Sequence, residues 1–251
     1  MHLISWLAGP RGSIPEDQIV YAIGDIHGRD DLLSRLHDTI QQDLDEKAQG
    51  RRGLVIYLGD YVDRGPDSKA VIDRLLDRPV RGADQVFLKG NHEDAMLRFL
   101  DGETGGGDWL QFGGGATAKS YGVSLKGPDN RALDPDVTRG ALGTALPGRH
   151  LSFLRGLALR HEVGDYFFVH AGIRPGCPLD QQSPADLLWI RSAFLRSRRR
   201  HGKIIVHGHA SGRDVVVKSN RICVDTMAYA TDCLSCVVLE GASHRFLRAE
   251  I

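Results

Sequence analysis

Two carboxylates and a guanidinium stand close together in the glycine-bounded block at residues 59–65. Asp60, Asp63 and Arg64 fall within five consecutive residues. Carboxylates can bind a divalent cation, and a guanidinium can bind the oxygens of an anion in bidentate fashion. The block therefore indicates a metal site beside an anion site. The alternative is a polar turn in which Asp63 and Arg64 form an ion pair.

A second block, at residues 24–28, contains Asp25 and His27 between two glycines. In an extended segment these two side chains point to the same side, so a carboxylate and an imidazole can converge on one ion. A third block, at residues 90–93, contains Asn91 and His92. Adjacent side chains diverge, which suits one ligand and one neighbour facing a substrate. The alternatives are an ordinary loop for the second block and a helix N-cap at Asn91 for the third.

Each block follows a short apolar run, at residues 19–23, 54–58 and 85–88. Short β-branched runs bounded by glycine predict buried parallel strands. Helical patterns at 30–40, 69–76 and 94–100 follow the blocks, with Asp67 or Ser68 as a cap for the second helix. An alternation of strands and helices predicts a parallel sheet, and ligands collect at the carboxyl ends of such strands.

The second half of the chain has mostly strand and hairpin patterns. Strands are predicted at 157–163, 166–170, 203–206, 215–218, 222–225, 234–239 and 244–248. His170 and His207 end two of these runs, and His209 follows closely. Short helical segments are expected at 150–154 and 186–191, the second ending in Arg191.

The blocks at 24–28, 59–65 and 90–93 resemble, in order and in their spacing of about 30 residues, the signature blocks of the PPP-type metallophosphoesterases. The branch that they resemble contains the bacterial serine/threonine protein phosphatases and the phage lambda phosphatase. The resemblance implies an α/β, calcineurin-like metallophosphoesterase fold with a central two-sheet β-sandwich flanked by α-helices. Three residues depart from the family pattern: Phe112 replaces a polar residue, Ala210 a threonine and Met227 a glycine.

The resemblance also implies a centre with two divalent metal ions. The implied ligands are Asp25 and His27 for the first ion, Asp60 for both, and Asn91, His170 and His209 for the second. His207 is expected to face away from the site. A mixed nitrogen and oxygen set without thiolate suits Mn²⁺, Fe²⁺ or Zn²⁺ better than Mg²⁺, and Mn²⁺ is the expected ion.

The implied chemistry is phosphoester hydrolysis by a hydroxide that bridges the two ions. His92 would protonate the leaving group, and Asp63 would orient His92 and raise its pKa. Arg64 and Arg191, with Asn91, would bind the phosphoryl oxygens.

The expected enzyme is a dimetal phosphoprotein phosphatase acting on phosphoserine or phosphothreonine, with a phosphorylated protein or a small phosphoester as its partner. One alternative is a symmetrical bis(5′-nucleosyl)-tetraphosphate hydrolase. Those enzymes usually lack a carboxylate at the position of Asp63, which favours the phosphatase. The alternative of another class is a non-catalytic metal- or phosphate-binding module.

Composition excludes several other classes. Among 251 residues, 32 Lys and Arg balance 32 Asp and Glu, so no net field attracts nucleic acid or an anionic membrane. The Arg198–Arg200 run of the cluster at 196–200 is expected to be a solvated face. The cysteines, including Cys233 and Cys236, are expected to be free thiols, which fits a cytoplasmic location. One domain over 1–251 is predicted, with an irregular lead-in at 1–18 and a mobile lid or insert at 101–148.

Overall fold

The computed structural model describes residues 12–103, 107–210 and 212–251. The greater part of the predicted lead-in, residues 1–11, lies outside these ranges, as do residues 104–106 of the predicted insert. The strands are β1 (Gln18–Ile23), β2 (Arg52–Tyr57), β3 (Ala83–Phe87), β4 (Arg160–Val163), β5 (Tyr166–Val169), β6 (Ile204–His207), β7 (Val216–Lys218), β8 (Arg221–Cys223), β9 (Cys233–Glu240) and β10 (Ser243–Glu250).

The helices lie mainly between the strands of the first half and in the middle of the chain. They are α1 (Asp30–Lys47), α2 (Ser68–Asp77), α3 (Asn91–Leu100), α4 (Gly107–Trp109), α5 (Gly115–Ser120), α6 (Pro135–Ala145), α7 (Gly148–Arg155), α8 (Pro184–Trp189), α9 (Ser192–Leu195) and α10 (Ala228–Thr231). An irregular turn, Leu110–Gly114, kinked at Gly113, joins α4 to α5, and a 3-10 turn covers Leu179–Gln181.

Two five-stranded mixed sheets form the centre of the described fold. The first has the order β10-β9-β1-β2-β3, in which β1, β2 and β3 are parallel. The second has the order β4-β5-β6-β8-β7, in which β5, β6 and β8 are parallel. The predicted combination of parallel β-α units followed by hairpins is confirmed.

The alternation of side chains along β1 shows how the layers pack. Ile19 and Tyr21 belong to a core shared with α1, whereas Val20 and Ala22 belong to a core shared with Val206 on β6. Successive side chains of a strand point to opposite faces, so one face covers the helices and the other covers the second sheet. This arrangement confirms the predicted two-sheet sandwich flanked by helices.

Helix α3 begins three residues before the predicted start at residue 94. Gly90 is the N-cap, and Asn91 is the first helical residue, so the alternative of Asn91 as the cap is wrong. The side chain of Glu93 accepts a hydrogen bond from the Gly90 amide, which closes the first turn around the predicted ligand block. The predicted cap of α2 is correct, because Asp67 accepts a hydrogen bond from the amide of Ala70.

Candidate metal centre

The candidate site lies where the parallel strands of both sheets end. The chain turns sharply there, and five predicted site residues have left-handed backbone angles. They are His27, Asp60, Asp63, Arg64 and His209, with φ between 47° and 75°. Residues other than glycine rarely adopt left-handed backbone angles, because this conformation costs about 1 kcal/mol or more for each residue. The fold therefore holds strained turns in order to aim these side chains.

Glycines make room for the carboxylates. A Cβ at Gly90 would lie 2.1 Å from Oδ1 of Asp60, and a Cβ at Gly208 would lie 2.0 Å from Oδ1 of Asp25. Real Cβ atoms do not approach so closely, so each position requires glycine for a steric reason. Glycine at these two positions therefore leaves room for the carboxylates of Asp60 and Asp25.

Two groups of side chains are arranged so that each could hold a metal ion, and they share Asp60. One contains His27, Asp60 and His92, and the other contains Asp60, His170 and His209. The Oδ2 atom of Asp60 lies 3.4 Å from Nε2 of His27, and its Oδ1 atom lies 3.5 Å from Nε2 of His170. Because its two oxygens face different groups, Asp60 stands where a bridging ligand would stand.

The two other predicted ligands lie beside these groups. Asp25 accepts a hydrogen bond of 3.0 Å from the amide of His209. Oδ1 of Asn91 lies 2.9 Å from Nε2 of His170. The sequence predicted Asp25 with His27, whereas the cluster that contains His27 in the structure has His92 and Asp60 as its other members. Every predicted ligand is buried.

The imidazoles are oriented in the way that metal ligands require. Nδ1 of His27 donates to the carbonyl of Val62, and Nδ1 of His170 donates to the carbonyl of Leu58, both at 2.8 Å. These bonds leave the Nε2 lone pairs for the site. Nε2 of His209 is buried and has no hydrogen-bond partner in the described part of the chain.

The protonation states also fit a cation. Burial lowers the pKa of His27 to about 3 and that of His209 to about 2, so both imidazoles are neutral. Burial alone would raise the pKa of Asp60, but its neighbours, of which His170 and His92 contribute most, hold it below its ordinary value. A carboxylate beside the neutral imidazoles of His27 and His209 is a donor set for a divalent transition metal.

Asp63 and His92 form a buried pair beside the clusters. Nδ1 of His92 lies 2.6 Å from Oδ2 of Asp63. Asp63 also accepts hydrogen bonds from Nε1 of Trp109 at 2.8 Å and from Oγ1 of Thr117 at 2.7 Å. Burial acts to lower the pKa of His92, but the charges of Asp60 and Asp63 raise it above its ordinary value. Within the described ranges, Asp63 makes no ion pair with Arg64.

Arg64 is fixed from two sides. Its amide donates to the carbonyl of Gly113 at 3.2 Å, and its guanidinium lies 4.7 Å from the ring centroid of Tyr229. The ring of Tyr229 also packs edge-on against His27, with centroids 5.3 Å apart. Tyr229 therefore connects the predicted anion-binding arginine to a predicted metal ligand.

A cavity of about 370 Å³ opens beside His92. Arginines and aromatic side chains dominate its lining: Arg64, Arg98, Arg191, Trp109, Phe112 and Trp189. Asn91, Ala95 and the acidic Asp108 also line it. The structure thus brings the predicted Arg64 and Arg191 to one cavity with His92 and Asn91.

Several residues at the site were not predicted from the sequence. Glu93 was not singled out, yet it accepts hydrogen bonds from the amides of Asp60, Tyr61 and Val62 as well as Gly90. The packing of Tyr229 and the hydrogen bond of Trp109 to Asp63 join segments far apart in sequence, so no local pattern could reveal them.

Other expectations concern residues outside the clusters. His207 is buried against Phe194, and its Nδ1 donates to the carbonyl of Gly208. It belongs to neither of the two clusters, whereas His209 belongs to one of them. The four cysteines are free thiols, and Cys233 and Cys236 are buried. In the part of the chain that the structure describes, no helix has the length and apolar character that crossing a bilayer requires.

Comparison with protein families gives one match that covers most of the chain. The family profile described as calcineurin-like phosphoesterase matches residues 19–232. This range begins in β1 and ends just after α10, so it includes every member of the two clusters.

Curated relatives match in part. The symmetrical bis(5′-nucleosyl)-tetraphosphatase of Acidovorax sp. is 31% identical over 160 residues, which are 62% of this chain and 44% of that protein. Serine/threonine-protein phosphatase 2 of Escherichia coli is 42% identical over 97 residues, 38% of each chain. The matched region thus spans less than half of the length of each relative.

Solved structures share the fold over nearly the whole chain. A crystal structure described as a "putative diadenosine tetraphosphatase" superposes with a TM-score of 0.61 and covers 98% of this chain and 96% of its own. Its sequence identity is 19%, so this likeness concerns the fold alone.

Proposed function

This chain belongs to the calcineurin-like phosphoesterase family, and from that premise we propose that it hydrolyses symmetrical dinucleoside tetraphosphates. Metal-dependent phosphoester hydrolysis follows from the family and from the two buried clusters. The proposal concerns the substrate and the roles of individual residues.

The residues that would hold the two ions are the predicted ligands. Asp25 and His27 would bind the first ion, Asp60 would bridge, and Asn91, His170 and His209 would bind the second. Divalent ions bound there would act as Lewis acids toward phosphoryl oxygens and would lower the pKa of a bound water molecule. Mn²⁺ is the proposed ion, because the donors are imidazole, carboxylate and amide without thiolate.

The remaining side chains would act on the phosphate chain. Arg64 and Arg191 would bind phosphoryl oxygens and stabilise the charge that develops in the transition state. A water molecule adds to one central phosphorus atom, and the bond from that phosphorus to the central bridging oxygen breaks. His92 would give its Nε2 proton to the departing oxygen while Asp63 holds Nδ1. The products are two nucleoside diphosphates.

The observation that carries this substrate is that three arginines, Arg64, Arg98 and Arg191, line one cavity beside His92. Of these, Arg98 also forms ion pairs with Asp94 at 3.2 Å and with Glu103 at 3.7 Å. A single phosphoryl group needs one or two guanidinium partners, whereas a tetraphosphate bridge carries charge on every phosphate along its length. The dinucleoside hydrolase from Acidovorax sp. also matches a longer part of this chain than the E. coli phosphatase does.

A phosphoprotein phosphatase is the second candidate, and Asp63 supports it. The alkoxide of serine or threonine is a strongly basic leaving group, so its departure depends on a proton donor. The hydrogen bond of 2.6 Å between Asp63 and His92 and the raised pKa of His92 are suited to that task. The E. coli relative carries the corresponding name.

A hydrolysis panel tests these proposals. The Mn²⁺-loaded protein is given diadenosine tetraphosphate, a phosphoserine peptide, a phosphotyrosine peptide and p-nitrophenyl phosphate, and kcat/KM is compared. We expect the highest value for diadenosine tetraphosphate, with ADP as its product. A higher value for the phosphoserine peptide would favour the second candidate, and production of ATP and AMP would contradict symmetrical cleavage.

The alternative of a non-catalytic module is tested by the same panel. An Asp60→Asn protein prepared in parallel reports the background from contaminating phosphatases. Metal binding by the unaltered chain without turnover above that background would support the binding module.

A further inference from the structure

We propose that Phe112 and Trp189 form a subsite that stacks the nucleobase of the leaving nucleotide. This inference rests on the proposed dinucleotide substrate. The two side chains are 70% and 45% exposed, and both line the cavity beside His92. Few large apolar side chains are exposed in the described ranges, and among them Phe112 and Trp189 are the aromatic ones.

The turn that carries Phe112 is anchored at both ends. Trp109 is buried and donates to Asp63, and the carbonyl of Gly113 accepts a hydrogen bond from the amide of Arg64. Between these anchors, Phe112 projects outward. Gly113 has a φ of 122°, and a Cβ there would lie 2.9 Å from Cγ of Arg64, so the turn approaches the site closely. Phe112 is therefore presented by a turn that is itself bound to catalytic and phosphate-binding residues.

Trp189 belongs to a different segment of the chain at the same cavity. It is the last residue of α8, whose Leu187 carbonyl accepts a hydrogen bond from the amide of Ala171, next to His170. Arg191 follows two residues later and lines the same cavity. Each exposed aromatic side chain thus lies near an arginine that would hold a phosphate.

The lining of the cavity suits a nucleotide. Ala95 adds little bulk, and Arg64 and Arg191 supply cations. Arg98 on α3 is paired with Asp94 and Glu103, and Asp108 is the one acidic side chain among the described lining residues. The volume of about 370 Å³ lies within the roughly 300–1,000 Å³ of small-molecule sites. A planar base between aromatic side chains, joined through phosphates to arginines, uses both kinds of lining residue. Stacking accepts any base, so we expect little preference between adenine and guanine.

Binding of a non-hydrolysable ligand pair tests the subsite directly. Adenosine 5′-(α,β-methylene)diphosphate carries the base, and methylenediphosphonate lacks it. Isothermal titration of the Mn²⁺-loaded protein compares both ligands in the Phe112→Ala and Trp189→Ala variants. We expect each variant to bind the adenosine compound about 10-fold more weakly, the effect of losing one base–aromatic stack, and to bind methylenediphosphonate as before.

Controls separate stacking from a general defect. Val137→Ala removes an exposed apolar side chain of α6 that does not line this cavity, and it should bind both ligands normally. Phe112→Tyr and Trp189→Phe keep a ring and should restore most of the affinity. Both test positions are exposed, so folding is expected to persist and circular dichroism checks it.

The outcomes also distinguish this inference from the proposed function. Unchanged affinity for the adenosine compound, or equal weakening of both ligands, would overturn the subsite. If diadenosine tetraphosphate is not hydrolysed but the ring-dependent loss is found, the proposed reaction fails while the nucleotide subsite stands.

Discussion

Asp60 presents its two carboxylate oxygens to different histidines, and this geometry yields a prediction about metal content. Asp60→Asn should reduce the bound metal from two ions to fewer than about one per chain, because an amide cannot supply charge to both clusters. Metal analysis by mass spectrometry after gel filtration measures the ratio. Asp45→Asn on the exposed face of α1 is the matched control. Retention of two ions by the Asp60 variant would contradict a bridging role.

The dependence of the rate on the leaving group tests His92. His92→Asn should lower kcat for a phosphoserine peptide by about 10²–10⁴-fold, the usual contribution of a general acid. It should lower kcat for diadenosine tetraphosphate much less, because a nucleoside diphosphate is a weaker base than an alkoxide and departs more easily without a proton.

The same variant needs a metal measurement, since His92 lies 4.0 Å from Asp60. If the metal content is unchanged and the loss of kcat is larger for the phosphoserine peptide than for diadenosine tetraphosphate, His92 acts as the general acid. An equal loss on both substrates, with metal retained, would rule the acid role out.

At the scale of single residues, the candidate site residues could be predicted because they directly follow predicted strands. Asp25, His27, Asp60, Asn91, His92, His170 and His209 all come together as that pattern predicts. Partners that depend on tertiary contacts were not predictable. Trp109 is 46 residues from Asp63, and nothing in the local pattern joins the two.

At the scale of elements, Glu93 connects α3 to the turn after β2. Its carboxylate is fully buried and accepts from four backbone amides. Glu93→Gln would place an amide NH₂ against backbone N–H donors, so we expect a loss of about 2–4 kcal/mol in the free energy of unfolding. Urea denaturation measures it, and Glu46→Gln on the exposed face of α1 is the control. A loss below about 1 kcal/mol would show that the turn does not depend on this contact.

The loop around α10 positions Tyr229 over Arg64. Met227 and Asp232 flank α10 with left-handed backbone angles, and Nη1 of Arg29 donates to the carbonyl of Ala228 at 2.8 Å and to Asp232 at 2.6 Å. The family pattern has glycine where Met227 stands, and the left-handed angle explains that preference. The sequence showed that Met227 departs from this pattern, and the structure shows that Met227 nevertheless adopts the left-handed angle.

Removal of the Tyr229 ring should loosen Arg64. Tyr229→Leu should raise KM about 3- to 10-fold with a smaller effect on kcat, consistent with the loss of a cation–π contact. Tyr229→Phe keeps the ring and should behave like the unaltered protein. Steady-state kinetics on p-nitrophenyl phosphate measures both constants. A Phe variant as defective as the Leu variant would show that the hydroxyl group, rather than the ring, matters.

The strand pattern was more predictable than the helix boundaries. Apolar runs predict the bounds of the buried strands to within one residue for β1 and two residues for β2, because a strand covered on both faces excludes polar side chains. The start of α3 was missed because its first turn consists of polar site residues, which carry no apolar periodicity. The kinked turn before α5, Leu110–Gly114, was also unpredictable, since its shape depends on contacts with Trp109 and Arg64.

At the scale of the whole molecule, the proposed ligands come from both sheets. Asp25 and Asp60 follow strands of the first sheet, whereas His170 and His209 follow strands of the second. Bound ions would therefore join the two sheets. At a free Mn²⁺ concentration 100 times Kd, binding to the native state alone adds about 2.7 kcal/mol, which corresponds to a rise in Tm of roughly 5–10 °C.

Differential scanning calorimetry with Mn²⁺ and with EDTA measures this shift. The Asp60→Asn protein should show only a small shift in Tm. If the unaltered chain has the same Tm in Mn²⁺ and in EDTA, metal binding between the sheets is contradicted.

The left-handed turns at His27, Asp60, Asp63, Arg64 and His209 have a consequence for protein engineering. Glycine relieves the backbone strain at each position, so a selection for heat resistance alone would reward replacing these side chains. Such a selection would yield proteins that are more stable but have lost the proposed catalytic activity. Libraries built on this scaffold should keep these five codons fixed and seek stability elsewhere.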